Sequence, residues 1–298
     1  MGRVVLVRAV GSYGLLGDSG RFLVVREGGA RVWSLPGGLL AHAEHPERAL
    51  VRAFSEQTGL TATVGRLRAV VADVHADAGG GSSVHTDRLL FDVAVRDEVP
   101  EVTGGGVETR WVGPEAVAEL PLTPFSAELL GLPAVRLPVD AYPSAEPPTS
   151  SHPDRRLRFG AYGLVTDPTG RILLTQIADG YPGAGKWHLP GGGTDHGEQP
   201  TTGLLRELVE EGGQVGRVVE LLGVDNLHNP AALGPEGRPL DWHGVRVIYR
   251  VLVDAPTDAV VTESVGGSTA RAGWFTAAET AGLPLTGIAA SAIGQLGA

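Results

Sequence analysis

An internal repeat constrains the fold of this chain more than any other feature of its sequence. Four blocks of the first half recur in the same order in the second half. In chain order the matched pairs are SYGLLGDSGRFLVV with AYGLVTDPTGRILLT, VWSLPGGLL with KWHLPGGGT, HTDRLLFDVAV with HGVRVIYRVLV, and RWVGPEAVAELPLT with GWFTAAETAGLPLT. A repeat of this kind indicates two copies of one domain, which we call the first copy and the second copy.

A segment rich in Pro, Ser and Thr separates the two copies. Residues 137–156 read LPVDAYPSAEPPTSSHPDRR and have no apolar periodicity, which is typical of a linker. The length of 298 residues suits two domains of ordinary size. We therefore predict a first domain over residues 1–136, a linker over residues 137–156 and a second domain over residues 157–298.

The order of apolar segments and turns predicts the fold class. Arg21–Arg26 and Arg171–Gln176 are short and rich in β-branched residues, so both are predicted strands. A Pro-Gly-Gly loop and then a helix follow in each copy, and Pro200 suits the first turn of the second of these helices. Strands and helices do not alternate regularly, which favours an α+β fold. Trp111 and Trp274 recur before the last helix of each copy and are predicted to lie in the core.

The composition excludes several classes of protein. The chain has no cysteine, so any metal must be bound by oxygen or imidazole rather than by thiolate. Its 24 basic and 34 acidic residues give a net charge of −10, which disfavours binding to nucleic acid. No apolar run approaches the ~18–20 residues needed to cross a bilayer or forms the core of a signal peptide. We expect a cytoplasmic protein that binds neither nucleic acid nor membranes.

The second copy carries a spaced set of charged residues after its Pro-Gly-Gly loop. The segment beginning at Gly192 reads GGTDHGEQPTTGLLRELVEEGG, and its charged set is Glu198, Arg206, Glu207, Glu210 and Glu211. At about 100° per residue, the last three glutamates share one face of a helix. Like charges at this spacing are destabilising unless a cation offsets them, and carboxylate oxygens are ligands that Mg²⁺ prefers. The spacing therefore predicts a divalent cation on this face.

This segment resembles the box of the Nudix hydrolases, Gly-x5-Glu-x7-Arg-Glu-U-x-Glu-Glu-x-Gly-U with U aliphatic. Every fixed position matches except the last, where Gln214 stands in place of an aliphatic residue. The resemblance implies an α/β/α sandwich with a mixed sheet and a hydrolase that uses Mg²⁺ or Mn²⁺. It also implies metal binding by Gly191, Gly192, Glu198, Glu207, Glu210 and Glu211, and catalytic roles for Glu207, Glu210, Glu211 and Arg206. The identity of the general base stays open.

The first copy keeps some residues of this box but lacks two of the three glutamates of its helix face. Glu44 and Arg52 hold the positions of the first glutamate and the arginine. Ala53 and Gln57 replace the first and last glutamates of the helix face, so that Glu56 alone remains there. Because alanine has no ligand atom and glutamine is neutral, the affinity for Mg²⁺ should collapse. We predict a catalytically silent first domain.

The silent domain is expected to support the second one, by packing against it as an intramolecular pseudo-dimer. A homodimer of whole chains also stays open. In a competing interpretation, the first copy is also catalytic and uses other residues, such as His42 or His45 of its loop. These two histidines are more simply interpreted as loop side chains.

Four residues outside the box are candidate substrate-binding residues: Lys186, Trp242, His228 and His243. Lys186 comes just before the Pro-Gly-Gly loop, where a cation suits a phosphate. The other three flank a long insertion, and long loops are often functional; Trp242 suits stacking on a base. His75 and His85 occupy the positions that match His228 and His243, so a shared structural role for those two is equally open.

The resemblance and the residues together predict cleavage of a diphosphate bond in a small, nucleoside-diphosphate-linked substrate. A nucleoside triphosphate is the alternative substrate within the same chemistry. A ligand-sensing regulator is the alternative from another class, but it would need a DNA-binding helix-turn-helix and a basic face, and the sequence shows neither. A tandem that only binds partner proteins would leave the glutamates unexplained.

Overall fold

The computed structural model describes residues 5–76, 81–96, 107–132, 154–233, 237–262 and 267–297. By its contacts the chain divides into two compact units, Met1–Arg158 with Asn226–His243, and Phe159–Asp225 with Gly244–Ala298. Residues 226–243 belong to the second copy by sequence, but their contacts place them in the first unit. Apart from residues 154–156, the predicted linker lies outside the described residues. The predicted domain boundaries therefore stay predictions.

The first unit is built on a six-stranded mixed sheet. Its elements are β1 (Val5–Asp18), β2 (Arg21–Arg26), β3 (Gly37–Leu39), α1 (Pro46–Thr58), β4 (Thr63–Ala76), β5 (Ser82–Ala94), β6 (Glu108–Val112), α2 (Pro114–Glu119) and α3 (Pro124–Leu129). The strand order is β4-β5-β1-β2-β6, and β3 pairs with β1. β1 runs parallel to β5 and antiparallel to β2.

The second unit repeats this plan with a seven-stranded sheet. Its elements are β7 (Arg155–Thr166), β8 (Ile172–Ile177), β9 (Trp187–His188), β10 (Gly191–Gly193), α4 (Pro200–Gly212), β11 (Arg217–Leu233), β12 (Pro239–Leu252), β13 (Thr269–Phe275), α5 (Ala277–Thr280) and α6 (Gly287–Gly294). The contacts assign the start of β7 (155–158), the end of β11 (226–233) and the start of β12 (239–243) to the first unit. The strand order is β11-β12-β7-β8-β13, with β10 on β7 and β9 on β8. The α+β prediction is confirmed. Within the described ranges, no helix is long and apolar enough to cross a membrane.

Helices cover both faces of the sheet in the second unit. A Cβ on Gly163 of β7 would lie 3.3 Å from Leu204 of α4, so this position faces α4. Leu164, the next residue along β7, packs in one cluster with Ile288 of α6. Because successive side chains of a strand point to opposite faces, α4 and α6 lie on opposite sides of the sheet. This is the α/β/α layering that the resemblance implies.

The two helices that carry the box segments begin and end in the same way. α1 and α4 each have a proline in the first turn, as predicted for Pro200. Each ends at a glycine in the left-handed region, Gly59 with φ of 72° and Gly213 with φ of 65°. Both helices therefore have the same length and hold the residues of the box at equivalent positions.

The prediction that Trp111 and Trp274 lie in the core is wrong. Both residues are only half-buried. They lie on β6 and β13, which are edge strands of their sheets. The guanidinium of Arg21 lies 5.5 Å from the Trp111 ring, and that of Arg171 lies 5.5 Å from the Trp274 ring. An indole face at a sheet edge is suited to such a cation–π contact, and the same contact is present in both copies.

Candidate active site in the second unit

Glycines bring the backbone of the Pro-Gly-Gly loop close to its neighbours. Gly191 has φ of +130°, which L side chains rarely adopt. A Cβ at Gly191 would lie 2.3 Å from the carbonyl oxygen of Ala161. A Cβ at Gly192 would lie 2.9 Å from Glu207 Oε1. The loop therefore needs glycine at both positions, first to pair with β7 and then to leave space for a carboxylate.

Arg206 lies at the centre of the charged side chains of α4. Its Nε and Nη2 donate to the two oxygens of Glu198 at 3.0 and 3.1 Å. Its Nη1 donates to Glu207 Oε1 at 3.1 Å and to Glu210 Oε2 at 3.2 Å. The hydrogen bonds that Arg206 donates to Glu198, with the charges of Glu207 and Glu198, raise the pKa of Arg206 above its already high ordinary value. Arg206 thus stays charged and brings Glu207 and Glu210 together.

Glu211 points toward the glycine loop. Its side chain is 4% exposed. Oε2 accepts from the backbone N–H of Gly191 at 2.9 Å, and Oε1 accepts from the Thr269 hydroxyl at 2.5 Å. This carboxylate therefore links α4 to the loop and to β13.

The glutamates do not converge on one point in this structure. Within the part of the chain that the structure describes, no three carboxylates of the box bring one oxygen each to within 4.8 Å of one another. Glu207 and Glu210 meet at Arg206, while Glu211 is held by the loop. Four carboxylates against one guanidinium still leave excess negative charge, and such oxygens suit Mg²⁺ or Mn²⁺. The donor chemistry of the site therefore fits a divalent cation.

The first unit repeats the arginine–glutamate pair of this site, but neutral residues replace two of the glutamates. Arg52 donates to the two oxygens of Glu44, both at 2.9 Å. Gln57 accepts from the backbone N–H of Gly37 at 2.8 Å and donates to the carbonyl oxygen of Gly37 at 3.0 Å. Ala53 is buried, with 4% exposure. An amide at position 57 thus holds the loop as Glu211 does, but without a charge for a metal.

The four predicted substrate-binding residues fall in different units: Lys186 in the second, and Trp242, His228 and His243 in the first. Lys186 is exposed in the turn before β9, and Trp242 is half-buried on β12. His243 is fully buried, accepts from the Ala43 N–H at 3.2 Å, and contacts Asn226 Oδ1 at 2.8 Å through Nε2. Burial lowers the pKa of His243 to about 4, so its ring is neutral near pH 7. His243 thus contacts the backbone of Ala43 and the side chain of Asn226, and its role toward a substrate stays a prediction.

Two polar residues near the loop were missed by the sequence reasoning. Thr269, which bonds Glu211, lies 58 positions away from it and has no motif around it. His188 precedes the Pro-Gly-Gly loop, and its Nδ1 lies 2.7 Å from the Thr286 hydroxyl. The one sequence feature that could have drawn attention to His188 is that it differs from the first copy, which has Ser34 at the matching position. Burial, with a smaller effect of Arg246, lowers the pKa of His188 to about 4.

We expect His188 to make the folded state sensitive to acid. Its pKa is about 4 in the folded chain against an ordinary value of 6.5, so folding favours the neutral ring. This contribution is complete above pH 6.5 and is lost as the pH falls from 6.5 towards 4, at up to about 1.4 kcal/mol per pH unit. The thermal midpoint of the wild type should therefore fall more steeply over this range than that of His188→Ser.

Serine is the matched replacement because Ser34 fills the equivalent position. Above pH 7 the two midpoints should differ by a constant amount. Parallel curves between pH 6.5 and 4 would mean that the ring is protonated as easily in the folded chain as in the unfolded one.

The chain thus combines an α+β sandwich with a glycine loop that precedes a glutamate-rich helix, and this combination indicates its family. The NUDIX domain model matches residues 5–131 and again residues 155–292, so the chain belongs to the NUDIX domain family. The two matches confirm the resemblance read from the box and the presence of two copies.

Individual relatives match one part of the chain. Nudix hydrolase 6 of Arabidopsis thaliana is 37% identical over 87 residues, which cover 29% of this chain and 29% of that protein. The 8-oxo-dGTP diphosphatase of Haemophilus influenzae is 40% identical over 68 residues, which cover 23% of this chain and 50% of that protein. The chain thus spans half or less of the length of these relatives.

A solved structure matches about half of this chain over almost its own full length. The crystal structure of a MutT NUDIX hydrolase from Burkholderia pseudomallei is 31% identical, with a TM-score of 0.38, and the match covers 47% of this chain and 98% of that chain.

Proposed function

We propose that this chain is a metal-dependent hydrolase of a diphosphate bond and that the second unit holds its active site. One observation carries the proposal: Arg206 Nη1 contacts Glu207 at 3.1 Å and Glu210 at 3.2 Å beside a glycine loop. The first copy keeps the matching arginine, Arg52, but has the uncharged Ala53 at the position of Glu207.

The divalent ion is Mg²⁺ or Mn²⁺, held by Glu207, Glu210 and Glu211 with help from Glu198 and the backbone of Gly191 and Gly192. Bound there, such an ion neutralises charge on a diphosphate and lowers the pKa of a water for attack on phosphorus. The chain's own residues prepare the site. Arg206 orients three of the carboxylates, Glu211 fixes the loop, and the side chain missing at Gly192 leaves room above Glu207.

The proposed substrate is a nucleoside diphosphate linked to a second moiety. Exposed Lys186 lies in the same unit as the box and suits a phosphate contact. A nucleoside triphosphate is the second candidate, and the similarity to a protein named 8-oxo-dGTP diphosphatase favours keeping it. Substrate contacts by Trp242, His228 and His243 stay predictions.

A phosphate-release screen tests the activity and the metal together. Nucleotide sugars, dinucleotides and nucleoside triphosphates are each incubated with the protein and with Mg²⁺, Mn²⁺ or EDTA. We expect turnover of at least one class with a divalent ion and its loss in EDTA, because the excess carboxylate charge otherwise repels the diphosphate.

The control is the double variant Glu207→Ala with Glu211→Gln, which carries in the second copy the residues of the first. Binding of a nucleotide by calorimetry without any turnover would favour the ligand-sensing alternative instead. The intramolecular pseudo-dimer, a homodimer and the cytoplasmic location stay predictions.

A further inference from the structure

Two histidines and an aspartate meet in the first unit, which contains all three residues. His42 lies in the loop after β3, and His228 and Asp241 lie on β11 and β12. Nε2 of His42 is 3.0 Å from Asp241 Oδ1, and Nε2 of His228 is 2.8 Å from the same oxygen. Among the described residues, these three form the one group of His, Asp or Glu whose ligand atoms all lie within 4.8 Å of one another.

The spacing of these atoms suits a small metal ion. Zinc binds imidazole nitrogen and carboxylate oxygen at about 2.1 Å, so two ligands at right angles on one ion are about 3.0 Å apart and tetrahedral ligands are about 3.4 Å apart. The observed separations of 3.0 and 2.8 Å are close to this range.

His42 Nε2 is buried without a hydrogen bond of normal geometry. The atom lies 3.0 Å from Asp241 Oδ1, but this contact does not have the geometry of a hydrogen bond. A buried polar nitrogen without a well-directed partner costs free energy, so this side chain gains from a ligand that it can approach in the plane of its ring. This observation is independent of the distances within the cluster.

The surroundings leave the three ligand atoms available. Arg155 Nε approaches the other oxygen of Asp241, Oδ2, at 3.5 Å. His243 packs 5.6 Å from the His42 ring and accepts from the Ala43 N–H, so it braces the loop that carries His42. His42 and Asp241 are mostly buried, with 16% and 24% exposure, and His228 is 35% exposed, which gives an ion a route from solvent.

We propose that His42, His228 and Asp241 bind a Zn²⁺ ion. Imidazole ligands favour zinc over Mg²⁺, whereas the all-oxygen box of the second unit favours Mg²⁺. Three protein ligands leave one position of a tetrahedral ion for water. The ion ties the loop after β3 to residues 226–243, so its role is to stabilise the first unit.

Zinc binding is tested on the full chain without a histidine tag. The protein is stripped with EDTA, incubated with Zn²⁺ in the presence of excess Mg²⁺, desalted and analysed for zinc by mass spectrometry, and its affinity is measured by competition with a chelator. We expect one zinc per chain and a thermal midpoint raised by about 4 °C or more. His42→Gln, His228→Gln and Asp241→Asn should each weaken binding about 100-fold or more.

The matched control is His75→Gln, because His75 also pairs with an aspartate, Asp73, in the same unit. It should bind zinc like the wild type. His228 is the most exposed ligand, so its variant keeps the test valid if His42→Gln fails to fold. Absence of zinc from the wild type would overturn the proposal, and so would full zinc content in the three ligand variants, which would locate the ion elsewhere.

Discussion

Glu210→Gln should lower kcat by about 100-fold or more, whereas Glu56→Gln should leave it within about twofold of the wild type. The two residues are equivalent by sequence and make the same contact. Glu210 lies 3.2 Å from Arg206 Nη1, and Glu56 lies 3.4 Å from Arg52 Nη1. Each substitution removes one charge and keeps the shape of the side chain. The difference therefore isolates the metal-binding role proposed for the second unit.

Glu211→Gln extends this test to the buried glutamate. Gln57 shows that an amide accepts the loop N–H at this position, so the variant should fold. Its activity should fall by a similar factor, because the amide has lost the negative charge that holds a divalent ion.

Steady-state kinetics with the substrate found in the screen, measured over a range of Mg²⁺ concentrations, gives the comparison. Circular dichroism confirms that each variant is folded. A Glu56→Gln protein that folds but has lost activity would reverse the assignment of the two copies.

Gly191→Ala should prevent the second unit from folding normally. With φ of +130°, this residue has a backbone conformation that suits glycine. The new Cβ would lie 2.3 Å from the Ala161 oxygen, and relieving this overlap would disturb the pairing of β10 with β7. We expect a loss of more than about 3 kcal/mol in the free energy of unfolding, which exceeds the usual effect of one substitution.

Gly170→Ala is the control that introduces backbone strain without steric overlap. Gly170 has φ of +83°, but a Cβ there would meet nothing within 4 Å. Its cost should be only about 1 kcal/mol, the penalty of the left-handed conformation alone. Urea unfolding followed by circular dichroism measures both variants. Equal midpoints for the two would show that the loop moves away from β7 without cost.

Local patterns predicted the elements that carry the box. The proline of the first turn and the terminal glycine set the bounds of α4, because both residues act on their own stretch of backbone. The spacing of the glutamates placed them on one helix for the same reason. The failed prediction for Trp111 and Trp274 has the opposite cause, since a strand sequence does not say whether its strand lies at the edge or the centre of a sheet.

The sequence by itself determined the duplication, the helix that carries the glutamates and the loss of charge in the first copy. The helix and its charges depend on residues close together in the chain, and the duplication follows from comparing residue identities without knowing which segments pack together. Only the tertiary structure decided that Thr269 reaches Glu211 and that His42 meets His228 and Asp241. These partners come from distant segments, and the contacts of residues 226–243 place them in the first unit rather than with their own copy. No local periodicity encodes such a pairing, because it follows from how whole strands pack.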